Sequence, residues 1–261
     1  MDIHSIDILS LSGSGMRHDC EGQKHIKSLP FLSVVQAIEG SYDIALNDGR
    51  TFSTGEGGIF IAPAEVKQTI IHHNGKSGKM CAQWAFMEIS INNNFFLDDL
   101  FDLPILMPES KLAAAGEHIQ TICSDAPLWE KYAAGYRLAG ILIESGKPKS
   151  VPDETHMLIR SFVAANFGAD IGSDDIAAHI HCSVSQVFRY TRKYFGMSPA
   201  NYINSVRLRR AAELLELTQH SIGDIAVMIG FSDTSYFSRL FRQAFGMPPG
   251  NYRQTTARKH H

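Results

Sequence analysis

The last third of the chain repeats itself, and that repetition restricts the possible folds more than any other feature. The stretch Ser185–Tyr202, SQVFRYTRKYFGMSPANY, is answered 50 residues later by Ser235–Tyr252, SYFSRLFRQAFGMPPGNY. Ser185/Ser235, Arg189/Arg239, Arg192/Arg242, Phe195/Phe245, Gly196/Gly246, Met197/Met247, Pro199/Pro249, Asn201/Asn251 and Tyr202/Tyr252 are identical, half of the window. Upstream, Asp175-Ile176-Ala177 is answered by Asp224-Ile225-Ala226 at an offset one residue shorter, so one turn carries an extra residue. A period of this length marks a repeated supersecondary unit. Each copy reads as two short helices with a tight turn between them, the pattern of a helix-turn-helix.

In the second copy Ser221 and Asp224 form a capping-box pair, and Asp175 matches Asp224 in the first. Gly230, in the turn Ile229-Gly230-Phe231-Ser232-Asp233, permits the left-handed backbone that such a turn needs. The helix that follows places Phe237, Leu240, Phe241 and Ala244 on one face, and Thr234, Ser235, Ser238, Arg239 and Arg242 on the other. The matching face of the first copy carries Ser183, Ser185, Gln186, Phe188, Arg189 and Arg192. Arginine can bond both major-groove acceptors of guanine, hydroxyls bond bases or phosphates, and Phe188 can touch a thymine methyl. Any one of these residues would equally suit a solvated helix face. Recurrence of Ser, Arg and Arg at the same places in both copies points to double-stranded DNA. Arg207, Arg209 and Arg210, on the helix joining the copies, suit either phosphate contact or internal ion pairs with Glu213 or Glu216.

Net charge of the whole chain is −3, but its halves differ. Up to Ser150 there are 12 basic and 18 acidic residues, a net −6; beyond it there are 12 and 9, a net +3. Such asymmetry supports a nucleic-acid-binding C-terminal part. No apolar run approaches the ~20 residues of a membrane span, and the N-terminus lacks the pattern of a signal peptide. Cys20, Cys81, Cys123 and Cys182 are widely spaced, which suggests neither a disulfide framework nor a zinc site. A cytoplasmic protein with reduced thiols is expected.

The first 91 or so residues are short β-branched and aromatic segments separated by turn chemistry such as Asn47-Asp48-Gly49 and Gly55-Glu56-Gly57-Gly58. This spacing predicts a small barrel or double-sheet jelly roll. From Ser110 to Gly146 the period turns helical. Leu112, Ala115, Ile119, Ile122 and Cys123 form one stripe, and Leu128, Tyr132, Gly135, Tyr136, Ala139, Leu142 and Ile143 another. The break at Ser124–Pro127 predicts a helical hairpin, which would make a dimer contact, cover an open end of the barrel, or do both. A further helix is expected from Asp153 to Phe167, with Leu158, Ile159, Phe162 and Val163 buried. The expected organisation is an α+β multidomain chain: a β-barrel at 1–106, a helical hairpin at 107–146, a linker at 147–152, and an all-α tandem helix-turn-helix domain at 153–261.

The run Arg207…Ala211…Leu214-Leu215…Ile222…Ile225-Ala226…Gly230-Phe231…Tyr236-Phe237-Ser238-Arg239…Phe241-Arg242…Gly246…Pro249…Tyr252-Arg253 resembles the signature of the AraC family of transcriptional regulators. The resemblance implies two helix-turn-helix units whose recognition helices enter successive major grooves. It also implies a cupin-like N-terminal ligand and dimerisation domain, a homodimer, promoter DNA and RNA polymerase as partners, and no enzymatic activity. Two positions depart from the repeat: Thr191 stands opposite the core residue Phe241, and His181 opposite Gly230.

The Gly55–Gln68 stretch is similar to the strand-turn-strand of cupin sensors. Metal-binding cupins need two histidines one residue apart. Here His72 and His73 are adjacent and point to opposite strand faces, and Gln68 stands where such sensors often place histidine, so no metal or other cofactor is expected. Gln36, Tyr42, Gln68, His72, Trp84 and Glu88 are candidates for holding a small-molecule effector. Each also suits core packing, and a one-residue slip in register would invert the faces. The rivals to an effector-controlled regulator are a regulator controlled by a protein partner and a cupin-type enzyme with an accessory helical domain. For the enzyme, neither a metal triad nor a nucleophile–base pair is legible.

Overall fold

The computed structural model describes residues 3–27, 29, 31–64, 66–92, 95–150 and 154–257, in two compact units, Met1–Val151 and Pro152–His261.

The first unit contains β1 (Ile6–His18), β2 (Lys24–Lys27), β3 (Leu32–Glu39), β4 (Ser41–Leu46), β5 (Thr51–Ser53), β6 (Ile59–Ala62), β7 (Gln68–His73), β8 (Met80–Ile91) and β9 (Phe95–Phe96). After these come α1 (Leu97–Leu100), β10 (Phe101–Asp102), α2 (Glu109–Cys123), α3 (Leu128–Ser145) and β11 (Lys147–Pro148). One antiparallel sheet runs β1-β8-β3-β6 with β9 added to β8, and another runs β2-β7-β4-β5. Tyr42, Ile44, Leu46 and Ile70 of the second sheet pack against Ala37, Phe60, Ala62, Met80 and Ala82 of the first. Among the described residues the sheets stay separate, so the expected barrel is a jelly-roll-like sandwich of two sheets with the core between them.

The hairpin of α2 and α3 lies against the other face of the β1-β8-β3 region and does not cap an open end. Three glycines mark the close approach. A Cβ on Gly13 would lie 2.7 Å from Ile122, one on Gly116 2.7 Å from the Gln36 amide, and one on Gly135 2.9 Å from Leu11. Helix α2 buries Ala115, Gly116, Ile119 and Ile122. The inward stripe of α3 is rotated from the expected one: Ala134, Gly135, Leu138, Ala139 and Leu142 are buried, while Leu128 and Tyr136 are 70% and 45% exposed. Of the expected linker, Lys147–Pro148 pairs with Phe101–Asp102 as a short ladder. Val151 and Pro152 lie outside the described residues, as does the expected helix start at Asp153.

The second unit is all-helical: α4 (Glu154–Asn166), α5 (Ser173–His179), α6 (Val184–Phe195), α7 (Pro199–Leu217), α8 (Ile222–Met228), α9 (Thr234–Phe245) and α10 (Pro249–Ala257). The repeat appears as equal lengths, 7 residues in α5 and α8 and 12 in α6 and α9. Gly196 and Gly246 end the two longer helices in the left-handed conformation, at φ 71° and 77°. The extra residue lies in the second turn, 229–233 against 180–183. Gly230 has φ 85°, and His181 holds the same left-handed region at φ 52°.

The cores of the two copies differ where Thr191 replaces a phenylalanine. In the second, Phe237, Phe241 and Phe245 are buried, with Phe241 stacked on Phe245 at 4.1 Å. In the first, Thr191 is fully buried, and the His156 ring from α4 lies 4.9 Å from Phe195. Ile159 and Val163 of α4 are fully buried beside Ile176 and Val187, whereas Leu158, expected inside, is 38% exposed. Tyr202, Ile203, Ala211 and Leu215 of α7 point inward.

Candidate nucleic-acid interface

Helices α6 and α9 each bury an apolar stripe, Val187 and Thr191 in one and Phe237, Phe241 and Phe245 in the other. The opposite faces hold the residues that repeat. Ser183, Ser185, Phe188, Arg189 and Arg192 are exposed around α6, and Thr234, Ser235, Arg239 and Arg242 around α9; Gln186 and Ser238 are half-buried. All eleven therefore fall on or beside one solvent-facing surface of their own helix. Arg189 lies 5.5 Å over the Tyr190 ring and Arg239 5.2 Å over the Tyr236 ring, packing each guanidinium against its own helix.

Two members of the first set also have structural work. Ser183 caps α6: its hydroxyl oxygen accepts from Gln186 N at 3.3 Å, and Gln186 Oε1 accepts from Ser183 N at 2.9 Å. The second helix is capped differently, by Asp233 Oδ1, which accepts from the amides of Ser235 and Tyr236 at 2.7 and 3.2 Å. The preceding helices differ too. Ser221 and Asp224 make the full capping box of α8, while in α5 Asp175 accepts only from the Gly172 amide, at 2.8 Å. The Ser221 contacts hold the Asp224 carboxyl below its ordinary range.

The arginines of α7 divide. Arg207 is 8% exposed; its Nε donates to Phe167 O and its Nη2 to Ala169 O, both at 2.8 Å. It lies 5.4 Å from the Phe231 ring centroid. Burial pulls its pKa below the ordinary arginine value, opposed by the charge of Asp170. Arg207 is thus a tie between the end of α4, α7 and the second turn, and the phosphate alternative is dropped for it. Arg209 is likewise 8% exposed. Arg210 is paired with Glu213. The side chain of Glu216, the other partner considered, lies outside those described.

The effector candidates do not share one surface. Tyr42, Gln68 and His72 are buried on the inter-sheet side. Gln36 lies on the side covered by α2, where its Oε1 accepts from Gln83 Nε2 at 2.7 Å. Trp84 and Glu88 are half-buried, Trp84 with its ring 6.3 Å from Phe86. The neighbours of His72 were not legible in the sequence: Tyr42 at 4.9 Å, His25 at 4.8 Å, and Cys20 Sγ at 3.6 Å from Nδ1. Burial raises the Tyr42 phenol pKa, and burial with the charges of Asp19 and Glu21 raises that of the Cys20 thiol. His73 faces the other way, between Asp43 and Glu21. Among the described residues no group of three or more His, Cys, Asp or Glu is placed to hold a metal ion. None of the described helices is long and apolar enough to cross a membrane.

Two helix-turn-helix units joined through one long helix, each presenting the same serine–arginine face, define a tandem helix-turn-helix module. Residues 176–255 match the helix-turn-helix domain family. Through this domain the chain resembles transcriptional regulators of the AraC type. It is 38% identical over 96 residues to the HTH-type transcriptional regulator GbdR of Pseudomonas aeruginosa, which covers 37% of this chain and 26% of that protein. It is 33% identical over 97 residues to the HTH-type transcriptional activator RhaS of Escherichia coli, 37% of this chain and 35% of that one. The aligned segment thus spans only about a quarter to a third of these relatives. The fold is similar to that of ToxT from Vibrio cholerae, with TM-score 0.68 at 14% identity over 95% of this chain and 98% of the other. ToxT has also been solved bound to an unsaturated fatty acid.

Proposed function

We propose that the chain is a sequence-specific DNA-binding regulator of transcription, with α6 and α9 set into successive major grooves of a promoter and the N-terminal unit acting as its sensor. One observation carries this reading. The same exposed Ser, Arg and Arg recur on two helices of equal length, each held by a left-handed turn and a glycine stop. Recognition helices read major grooves one DNA turn apart, ~34 Å, when they are rigidly joined, and α7 is the joint. Promoter DNA and RNA polymerase are the partners of this reading, and regulators rather than enzymes are its relatives.

The outward side of α3 carries Trp129 and Leu128, each 70% exposed, and Tyr136, which is the proposed contact for a homodimer. An effector would act by favouring one arrangement of dimer or linker over another. Its proposed site is the inter-sheet interior at Tyr42, Gln68 and His72. That interior is packed with its own side chains, among them Phe60, Ile70, Met80 and Ile105. This packing favours a second reading, in which a protein partner controls the same DNA-binding domain.

The test is binding to a selected promoter fragment at physiological salt. Arg189→Ala and Arg239→Ala should each relax discrimination at one base pair by about 1–3 kcal/mol. Unchanged sequence preference in both variants overturns the assignment of α6 and α9. A thermal-shift screen of the whole chain against metabolites, fatty acids included, separates the two modes of control. A specific stabiliser supports the effector, and the absence of one supports the protein partner.

A further inference from the structure

We infer that the two recognition helices read DNA by different chemistry, so that the target site consists of unlike halves. The half facing α6 is selected through a thymine methyl packed on Phe188, and the half facing α9 through hydrogen bonds. This deepens the proposed function and rests on it.

The first observation is Phe188 itself. It is 50% exposed on the flank of α6, at the rim of a cleft shared with Pro199 and Ile203, immediately before Arg189 and at the register position that Ser238 holds in α9. A phenyl ring offers no donor or acceptor, and the C5 methyl of thymine is the apolar group that base pairs present in the major groove. Repetition shows that the position belongs to the reading face, and the change from Ser to Phe changes what it can read.

The second observation concerns the caps. Gln186 could read adenine only by presenting its carbonyl and amide together. Its Oε1 already accepts from Ser183 N at 2.9 Å and from Ser183 Oγ at 3.1 Å. The cap of α6 is therefore built from two of its own candidate readers. In α9 the cap is the Asp233 carboxylate, which precedes the helix, so the hydroxyls of Thr234, Ser235 and Ser238 take no part in it. Besides the serine and arginines common to both, one helix retains an apolar reader in Phe188, and the other retains the further hydroxyls of Thr234 and Ser238.

The test uses the full chain and a DNA site obtained by selection in vitro. The half facing α6 is identified as the one whose preference Arg189→Ala relaxes. Uracil then replaces thymine one position at a time, which removes only the methyl. At one thymine in that half, affinity should fall about fourfold, the burial of one methyl. The same scan across the α9 half should be silent once Thr234→Ser removes the one methyl of its own polar face. Phe188→Ala should erase the difference between thymine and uracil, while Phe188→Leu, which stays apolar, should keep part of it. A flat scan across the α6 half, or an unchanged thymine preference in Phe188→Ala, overturns the inference and leaves the regulator intact. Indifference of the selected site to both Arg189→Ala and Arg239→Ala removes the regulator reading and the inference together.

Discussion

Replacing Arg207 with alanine should loosen the helical unit rather than remove a phosphate contact. Its guanidinium donates to Phe167 O and Ala169 O, both at 2.8 Å, and faces the Phe231 ring at 5.4 Å, with 8% of the residue exposed. A hydrogen bond from a charged donor contributes about 1.5–3 kcal/mol net, and a cation–π contact at a largely desolvated site about 1–2 kcal/mol. These contacts share one side chain and do not add in full, so a loss of about 3–4 kcal/mol is expected. Against a typical domain stability of about 5–15 kcal/mol this is a large fraction. It corresponds to a fall in Tm of about 10–20 °C for a unit of this size. Circular dichroism melting of the whole chain measures the shift of the helical transition, and DNA binding below the lowered Tm completes the test. Arg207→Lys keeps the charge but not the two-pronged geometry, and should fall between. A Tm shift below about 3 °C, joined to uniformly weaker DNA binding and a salt dependence shallower by about one phosphate contact, would refute the reasoning.

Four further outcomes are expected. His181→Gly should stabilise the helical unit by about 0.5–1 kcal/mol, because it relieves the left-handed strain of a non-glycine residue at φ 52°, less the added freedom of the unfolded chain. Gly230→Ala should do the opposite and lower Tm, since its Cβ would meet Phe167 O at 2.8 Å at φ 85°; thermal melts of both variants decide. In the N-terminal unit, hydrogen bonds to Asp43 and then Glu21 raise the pKa of His73. The Glu21 carboxyl is lowered chiefly by the Asn74 amide, and that of Asp43 by Ser53. The histidine contribution is complete below its unfolded pKa of about 6.5 and is lost as pH rises through the raised folded value. The carboxylate contributions are present above unfolded values near 4 and are lost as pH falls through the lowered ones. Urea titrations should therefore show the clamp strongest near pH 5–6, and His73→Gln should flatten the decline toward pH 8. Finally, Trp129→Glu should shift the proposed dimer to monomer in sedimentation without altering the far-UV spectrum, because Trp129 is 70% exposed and outside the core.

The helical unit was legible because identity at a fixed offset survives any uncertainty in propensity, and its helices carry their own caps and glycine stops. Strand β1 was not singled out. Its segment GSG is poor in the β-branched residues that announce a strand, and Gly13 and Gly15 are small because Ile122 of α2 and the Ala82 carbonyl lie against them. The inward face of α3 was misjudged for a related reason. Gly135, Ala139 and Leu142 face inward as expected, but Ala134 and Leu138 join them in place of the larger Leu128 and Tyr136, because the helix must approach β1 closely at Gly135. In the sequence Arg207 suits either phosphate contact or an internal ion pair, and its actual partners are backbone carbonyls, which leave no trace in side-chain patterning. The repeated polar face lies toward solvent as expected, but the allocation of Ser183 and Gln186 to capping depends on where the helix begins, the least legible property of a helix boundary.

The departures of the first copy from the second form a consistent set. Thr191 leaves less volume than Phe241, and His156 of α4 places its ring beside Phe195, where the second copy sets Phe241 against Phe245. His181 keeps the backbone conformation of Gly230 without being glycine, so the turn geometry is preserved although the residue is not. Tyr202 of α7 stacks on Phe195 at 3.8 Å, and Tyr252 of α10 packs edge-on against Phe245 at 5.2 Å, so each copy is closed from behind by the helix that follows it. The first copy therefore needs α4 as a seventh helix to fill its core, whereas the second supplies its own aromatic filling. Arg207 holds the end of α4 beside the second turn, which makes one side chain the junction between the two helix-turn-helix copies. Substitutions that loosen α4 should thus disturb α6 before α9, and the half-site opposite Phe188 should lose its sequence preference first.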